Sequence, residues 1–339
     1  AHNTALGSEA LLSNTTGTLN TAVGYIALDA NTTGNYNTGL GYGALSAATT
    51  AADNTAVGAN ALYVSTTGTQ NVAVGKSALQ ANTTASNNTA VGYNSLLANT
   101  TGAQNTAVGR NVLDANTTAT GNTGMGESAL TANTTGADNV AIGANSLGSN
   151  TTAHNNTAVG KSALGANTTG TGNTAVGYGA LDTVSTGSQN TAVGYQAADN
   201  VASGGSDNTC IGYDAKTGGT NSSHNIVLGS GITSTATNDK VSIGKASNII
   251  SNVFATDATW ARVSDERKKK NIKEDTLGLD FINDLRTVTF EWRPNHEFPK
   301  HFKDYKETAE ENEMTTDLTL HGMVAQDVKA ALDKAGVDT

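Results

Sequence analysis

The sequence predicts an all-β protein whose main part is a parallel β-solenoid, or β-roll, of stacked 17-residue turns. The first observation is an asparagine that recurs at a fixed 17-residue step in the same local context. The second is that 35 of the 38 glycines lie before residue 264, as expected if every turn has a tight corner. A short, strict period means that each repeat buries its apolar side chains only by stacking on its neighbours. The repeated asparagines are Asn3, Asn20, Asn37, Asn54, Asn71, Asn88, Asn105, Asn122, Asn139, Asn156, Asn173 and Asn190.

Each copy has the same order of residue types, numbered from its asparagine as position one, and Asn20 to Tyr36 is a typical copy. Position four is aliphatic in all twelve copies, so we expect it to face an apolar interior. Position nine is leucine from Leu11 through Leu181 at the same step. Because these two apolar positions are separated by a glycine at position five, we expect two short strands in each turn.

Positions three and five always carry small residues. Position three is alanine or glycine, and in a strand it points to the opposite face from its neighbours. We therefore expect it to lie against a second chain that comes too close for a larger side chain. Position five is always glycine, which predicts a corner with positive φ. A lone turn has too little apolar surface to fold, so ladders between turns and contacts between chains must stabilise it.

The Asn-Thr-Thr tracts, such as Asn14 to Thr16 and Asn133 to Thr135, match the acceptor sequence for N-glycosylation. The alternative needs no glycan, because asparagine tolerates left-handed turns and threonine favours strands. Both residues would then recur at corners whatever compartment made the protein. Stacked Asn and Thr ladders are the favoured interpretation.

The charge distribution divides the chain near residue 264. Residues 1–263 hold seven of the 19 Lys and Arg residues and 12 of the 29 Asp and Glu residues, although they make up most of the chain. The net charge of −10 and the shortage of basic residues in the repeats argue against a nucleic-acid partner. Lys268 to Lys270 is the one basic run.

Few residues offer other chemistry. Cys210 is alone, which excludes an intrachain disulfide, and no apolar run is long enough to insert into a membrane. The six histidines lack the spacing of a metal site, so we expect no metal and no cofactor. The chain begins with Ala1 rather than methionine, and we expect it to be a fragment of a longer protein. The histidines are His2, His154, His224, His296, His301 and His321.

The repeat loses its register after Asn190. Asn208 comes one position later than the 17-residue step requires, Asn225 keeps the step, and Lys240 comes two positions early. We therefore expect a solenoid over residues 1–244 and a junction, containing Phe254, over residues 245–263. Residues 264–339 would form a separate domain.

The strand of alternating small and aliphatic residues that ends in glycine resembles the left-handed parallel β-roll heads of trimeric autotransporter adhesins. This resemblance covers residues 1 to about 245 and implies left-handed coiling and a homotrimer. The 17-residue turn is longer than the turns of those heads, and the Asn-Thr-Thr corner is an addition. The period alone therefore predicts only a parallel solenoid.

Three segments of the last domain resemble the endosialidase-type intramolecular chaperone, a self-cleaving family found at the C-termini of phage tailspikes and tail fibres. They are the charged segment Trp260 to Ile272, the sequence Thr-Phe-Glu-Trp at Thr289 to Trp292, and the segment His321 to Val328. The resemblance implies a small α+β domain. The chain stops at Thr339, where the family usually continues into long helices, so we expect a domain truncated at its C-terminus.

The same resemblance implies a catalytic dyad of Ser264 as nucleophile and Lys269 as general base, with the bond between Val263 and Ser264 as the one cut. Burial or neighbouring cations must lower the pKa of a lysine before it can accept a proton at neutral pH. This is a single intramolecular event, so we expect no enzyme with turnover. Spacing alone favours a different interpretation, in which Ser264 caps the start of a solvated helix.

These observations predict a structural or receptor-binding homotrimeric fibre of a phage tail, located in the virion and assembled in the host cytoplasm. Its expected partners are a host cell-surface receptor or glycan and other virion tail proteins. The alternative is a bacterial trimeric surface adhesin or an extracellular injection-system fibre. A polysaccharide-degrading tailspike is disfavoured, because Asp29, Asp114 and Asp182 occupy equivalent positions in different turns and make no catalytic pair.

Overall fold

The computed structural model describes residues 2–201, 204–235, 238–254, 285, 287–290, 320–323 and 325–334. The chain divides into two compact units, Ala1–Trp260 and Ala261–Thr339. In the first unit, one short strand recurs in each turn, with three residues in β1 to β13, and the strands pair in sequence order within a single sheet. The parallel β-solenoid predicted from the 17-residue period is confirmed. Its handedness and its trimeric state stay predictions.

The strands β1 to β15 run parallel, and each residue pairs with its equivalent in the next turn, as Thr4 pairs with Thr21. The strands of this unit are β1 Thr4–Leu6, β2 Thr21–Val23, β3 Thr38–Leu40, β4 Thr55–Val57, β5 Val72–Val74, β6 Thr89–Val91, β7 Thr106–Val108, β8 Thr123–Met125, β9 Val140–Ile142, β10 Thr157–Val159, β11 Thr174–Val176, β12 Thr191–Val193, β13 Thr209–Ile211, β14 Ile226–Ser230, β15 Lys240–Lys245 and β16 Asn248–Val253.

The strand ladder continues where the sequence period changes. Thr191 pairs with Thr209 although the turn between them is one residue longer than the usual repeat. Ile226 pairs with Val241 across a turn that is two residues shorter. The change in turn length is therefore absorbed outside the strands. Strand β16 then pairs antiparallel with β15 and ends the parallel order. The domain boundaries expected at residues 244 and 263 stay predictions.

The second strand expected in each turn is wrong, because the leucine of position nine lies in a turn with a left-handed backbone. Leu62, for example, has a φ of 50°. A side chain in this region is strained by about 1–3 kcal/mol. Two interactions offset that strain: the Leu62 N–H donates to Ala78 O at 3.0 Å, and the Leu62 side chain is fully buried.

The interior of the solenoid is filled by positions three, eight and nine, as shown by the fully buried Ala90 and Leu96. At Gly39, an added Cβ would lie 3.5 Å from Leu28 Cδ1, so alanine already fills the available space. Position three is small because it packs inside its own chain, and the expectation that it faces a second chain is wrong. The aliphatic residue of position four points to the opposite face of the strand and is partly or largely exposed, so its expected burial is also wrong.

Asparagine ladders bind successive turns together, as expected. The Asn37 N–H donates to Asn20 Oδ1 at 2.9 Å, and Asn37 Nδ2 donates to Ala51 O at 2.8 Å. The asparagine of the Asn-Thr-Thr tract forms a second ladder, in which Asn99 Nδ2 donates to Asn82 Oδ1 at 3.0 Å. Asn99 is fully buried, so the folded solenoid conceals this acceptor of the glycosylation sequence.

The glycine corner at position five has the predicted positive φ, which is +134° at Gly92. A Cβ added there would lie 2.2 Å from Gly109 O, the carbonyl oxygen of the next turn. The glycines of this position are stacked in one column, and both the backbone conformation and the close approach between turns require them.

Candidate functional site

The outer face of the solenoid strands is a continuous sheet surface without charged residues. It consists of positions two and four of β1 to β15, which share one side of each strand because position three faces inward. Position two is threonine in most turns, and position four forms what we call the outer aliphatic row. The outer aliphatic row is Leu6, Val23, Leu40, Val57, Val74, Val91, Val108, Met125, Ile142, Val159, Val176, Val193, Ile211, Leu228 and Ile243.

The outer aliphatic row is accessible along its length. Leu40 and Met125 are each 45% exposed and Ile211 is 43% exposed, although residues of this kind are usually buried. Their threonine neighbours on the same face are also partly exposed. The row therefore presents apolar surface in every turn of the sheet.

Tyrosines at position six follow the row along the chain. Tyr178, Tyr195 and Tyr213 lie in successive turns, with ring centroids 5.2 and 5.3 Å apart and nearly parallel planes. Tyr25 and Tyr42 form a similar but more tilted pair at 5.8 Å. Ring stacking of this kind contributes about 0.5–1.5 kcal/mol per pair beyond area burial, so these rings stiffen the solenoid and enlarge its apolar surface.

A shallow groove interrupts the surface at position ten, where two successive turns carry glycine. Gly148 and Gly165 form its floor, and Thr131 and Asp182 stand at its two ends. The groove is open, and it has no aromatic ring in its lining. It is a gap in the row of position-ten side chains rather than an enclosed pocket.

The aspartates of position ten serve the solenoid itself. Asp29 Oδ1 accepts the Ser46 hydroxyl and Asp114 Oδ1 accepts the Thr131 hydroxyl, each at 2.7 Å. Burial, together with the negative charge of Asp199, raises the pKa of Asp182. The hydrogen bonds of Asp29 and Asp114 join adjacent turns.

Lys216 forms ion pairs with aspartates of two successive turns, Asp199 and Asp214. Its Nζ lies 2.6 Å from Asp214 Oδ1 and 3.1 Å from Asp199 Oδ1. The hydrogen bond to Asp214 is the main cause that raises the pKa of Lys216, so this amine stays protonated. The side chain is only partly exposed, and its two ion pairs hold the region where the register changes.

Cys210 replaces alanine at position three and is fully buried. Burial raises the pKa of its thiol to about 12, which removes the thiolate that would react with an oxidant or a metal. Among the residues that the structure describes, no cluster of three or more His, Cys, Asp or Glu side chains is arranged to hold a metal ion. Within the same residues, no helix combines the length and the apolar character needed to cross a membrane.

The described part of the second unit is a two-stranded antiparallel sheet and one helix. Strand β17 covers Thr287–Phe290, strand β18 covers Leu320–Met323, and helix α1 covers Ala325–Lys334. Two of the segments that carry the family resemblance thus meet, because Thr289 pairs with His321. The acidic Asp327 lies in the first turn of α1 and Lys334 in the last, and both placements favour the helix dipole.

The predicted dyad lies outside the described residues. Ser264, Lys269 and the preceding Val263 all fall between residues 254 and 285, for which the structure gives no placement. Their roles therefore stay predictions.

Residues 264–337 match a family model described as "Chaperone of endosialidase". No curated protein and no solved structure matches the chain. The match covers the domain that the motifs at Thr289 and His321 predicted. The chain is a β-solenoid protein, and it ends in a chaperone domain of the endosialidase type.

The exposed outer aliphatic row is the feature that the sequence interpretation missed. A signal for it was present, because Thr89 and Val91 sit at positions two and four of the same short strand and therefore share a face. Had Val91 faced the interior, the hydroxyl of Thr89 would have been buried with it. The alanine between them and the leucine of position nine were sufficient to fill the core.

Proposed function

We propose that this protein is a structural fibre of a phage tail, in which three chains are assembled by the C-terminal chaperone domain and the solenoids present a surface to the host. The observation that carries the proposal is the family match at residues 264–337 in a chain whose preceding part is a solenoid of stacked turns. A solenoid of this kind is a spacer, because each turn contacts only its neighbours and adds length rather than a pocket. The uniform composition of the repeats fits the role of a spacer.

The chaperone domain acts in assembly. Short strands stacked in a long parallel ladder depend on pairings that form slowly and expose unpaired edges meanwhile, which favours aggregation. A domain that holds three chains together raises their local concentration and keeps them in step. The solenoids of the three chains then begin to fold while the chains are held in the same register.

The test of assembly compares the full chain with a truncated chain that ends at Phe254. We expect light scattering to give the mass of three chains for the full protein, and aggregated or monomeric material when the truncated chain is produced alone. The control is the truncated chain produced together with the full one. A full chain that is folded and has the mass of one chain would contradict the proposal.

The domain also cuts the chain once under this proposal. The Ser264 hydroxyl attacks the carbonyl carbon of Val263 while Lys269 accepts the hydroxyl proton. The peptide bond breaks, the proton passes to the amino group of Ser264, and the resulting ester is hydrolysed by water. The products are a chain that ends in the Val263 carboxylate and a released domain with a free amine at Ser264.

The test of cleavage uses Ser264→Ala and Lys269→Ala, with Lys273→Ala and Ser251→Ala as controls. Mass spectrometry of the purified native chain should find a product that ends at Val263. Both dyad variants should stay intact while both controls are processed. Processing of either dyad variant at the native rate would exclude the dyad.

The location of the fibre is tested with antibodies raised against the folded solenoid. On particles and cells from the source culture, electron microscopy should show gold label at the tails of virus particles. Gold label confined to bacterial surfaces would contradict the phage fibre and favour the surface adhesin or injection-system fibre.

A further inference from the structure

We propose that the copies of this chain pack against one another through the outer face of the solenoid, so that the outer aliphatic row is buried at the centre of the assembly. The occupants of this face are two further copies of the same chain. The inference rests on the proposed function, which needs three chains, and adds the surface that joins them.

The chemistry of the outer face fits burial better than contact with water. None of its 30 positions in β1 to β15 carries a charge, and the 16 Asp, Glu, Lys and Arg residues of residues 1–244 all lie at other positions of the turns. Charged residues do occur at position six, which lies only two residues beyond the row, as at Lys76 and Arg110. Solubility alone would therefore favour charges on this face as well. Their absence is typical of the core of an interface.

The size of the face also fits. Fifteen strands about 4.8 Å apart give a length of about 70 Å, and a width of about 10 Å then gives about 700 Å² of surface. The largest apolar patch on a monomeric protein is typically about 300–600 Å². A stable interface buries about 800 Å² on each partner, so the outer face is close to the size that an interface needs.

The regular spacing makes the face complementary to itself. Each copy presents one aliphatic residue per strand at the same interval, so two parallel copies in register place row against row in every turn. Most of these residues are β-branched, with few rotamers to lose on packing. The exceptions interrupt the pattern at fixed turns and help to specify one register; they are Leu6, Leu40, Met125 and Leu228.

Position three and the Asn-Thr-Thr corner are less suited than the outer face to contact between chains. Position three is closed, since Ala90 and Ala107 are fully buried within their own chain. The Asn-Thr-Thr corner is accessible but polar, and its inner threonine bonds to the next turn, as Thr83 Oγ1 donates to Thr100 O at 3.0 Å. The outer face is therefore the apolar surface in each turn that another chain can cover.

A cross-linking experiment on the full chain locates the interface. Val91→Cys places a thiol on the outer aliphatic row, and Thr101→Cys places one at the exposed corner of the same turn. The native Cys210 is buried and does not react. With a short bis-maleimide, Val91→Cys should give covalent dimers on a denaturing gel, and Thr101→Cys should stay monomeric.

A charge variant gives an independent readout. Val91→Glu combined with Val108→Glu should reduce the mass in light scattering from three chains towards one, because carboxylates from all copies would meet in an apolar interface. Thr84→Glu combined with Thr101→Glu, at exposed positions of adjacent turns, is the matched control and should keep the native mass. Circular dichroism confirms that each variant is folded.

The outcomes separate this inference from the proposed function. A native mass of three chains, with no cross-link at Val91→Cys or with cross-links at Thr101→Cys instead, overturns the outer-face interface and leaves the trimeric fibre standing. A native mass of one chain overturns both. The result we expect is a cross-link at Val91→Cys in a protein of three chains, together with a mass reduced towards one chain in the Val91→Glu and Val108→Glu double variant.

Discussion

At the scale of single residues, the column of glycines at position five is the strictest requirement of the fold. Gly92 combines a φ of +134° with an approach to the next turn that leaves no space for a Cβ. Its neighbours above and below meet the same two constraints. A change at one glycine therefore strains its own turn and disturbs the spacing to the next.

We expect Gly92→Ala to lower the free energy of unfolding by about 1–3 kcal/mol or more, because alanine is strained at this φ and its methyl group collides with Gly109 O. The control is Gly204→Ala, since a Cβ added there would meet Asn221 Oδ1 only at 3.6 Å and the residue has no positive φ. Denaturant unfolding of both variants is the measurement. Equal losses of unfolding free energy in the two variants would contradict the particular requirement for glycine at position five.

The carboxyl group of Asp182 gives a prediction about pH. Burial and Asp199 raise its pKa above the ordinary value of 3.8, so the folded state binds the proton more tightly than the unfolded state does. The ionised carboxylate therefore destabilises the fold, and this cost grows as pH rises above about 3.8. Asp182→Asn should raise the unfolding temperature at pH 7, and the gain should vanish as pH falls towards 3.8.

Thermal unfolding across this pH range checks the effect, with Asp138→Asn as the control for the loss of one negative charge at an exposed corner. A gain from Asp182→Asn that is largest in acid would contradict the assigned direction of the pKa shift.

At the scale of the turn, packing is asymmetric around a narrow core. Leu96 is fully buried inside, whereas the adjacent Leu97 is partly exposed. The left-handed backbone of Leu96, with a φ of 52°, turns its side chain into the interior while the chain changes direction. The two adjacent leucines thus have different roles, because Leu96 fills the core and Leu97 lies at the surface.

Leu96→Ala should cost about 2–5 kcal/mol, because it leaves a cavity in a core that has few other large side chains. Leu97→Ala should cost clearly less, since its side chain keeps contact with water in the native state. The comparison is made by denaturant unfolding of the full chain. Similar costs at both positions would contradict the placement of position nine as the core.

The period of the sequence predicts the parallel register, the glycine corner and the asparagine ladders, because each follows from identical residues meeting in adjacent turns. It does not predict which face of the strand is inside. A three-residue strand such as β6 gives one alternation only, and Val91 satisfies an apolar interior as well as an apolar interface. The second strand was wrong because a leucine with positive φ has no signal in composition.

In the C-terminal domain, sequence motifs predict the family, but they do not establish the roles of single residues. The motifs at Thr289 and His321 predict the family. The structure adds that the two segments pair, as strands β17 and β18. The roles of Ser264 and Lys269 follow from resemblance alone. Local pattern cannot supply them, since a dyad depends on the distance between two side chains and on the burial of the lysine.

At the scale of the whole solenoid, the turns are interchangeable units. Asn88 and Asn105 begin successive turns with the same residue types, so removing residues 88–104 joins Asn87 to Asn105 without changing the register. The ladder would simply lose one strand. Stability in such arrays is approximately a sum over turns and their contacts.

We therefore expect deletion of residues 88–104 to cost less stability than deletion of residues 88–95, although it removes about twice as many residues. The shorter deletion takes away strand β6 and leaves Leu96 with no strand to pack beneath. Thermal unfolding followed by circular dichroism compares the two. A lower unfolding temperature for the whole-turn deletion would show that turns are not interchangeable.

The asparagine ladder has one further consequence, because all its side-chain amides point the same way. Asn54 Oδ1 accepts from the Asn71 N–H, and Asn71 Oδ1 accepts from the Asn88 N–H, so within this ladder each asparagine N–H donates towards the start of the chain. Aligned amide dipoles in a column add along its axis, as they do in a helix. The solenoid is thus a polar filament, and a turn can be added to it only head to tail.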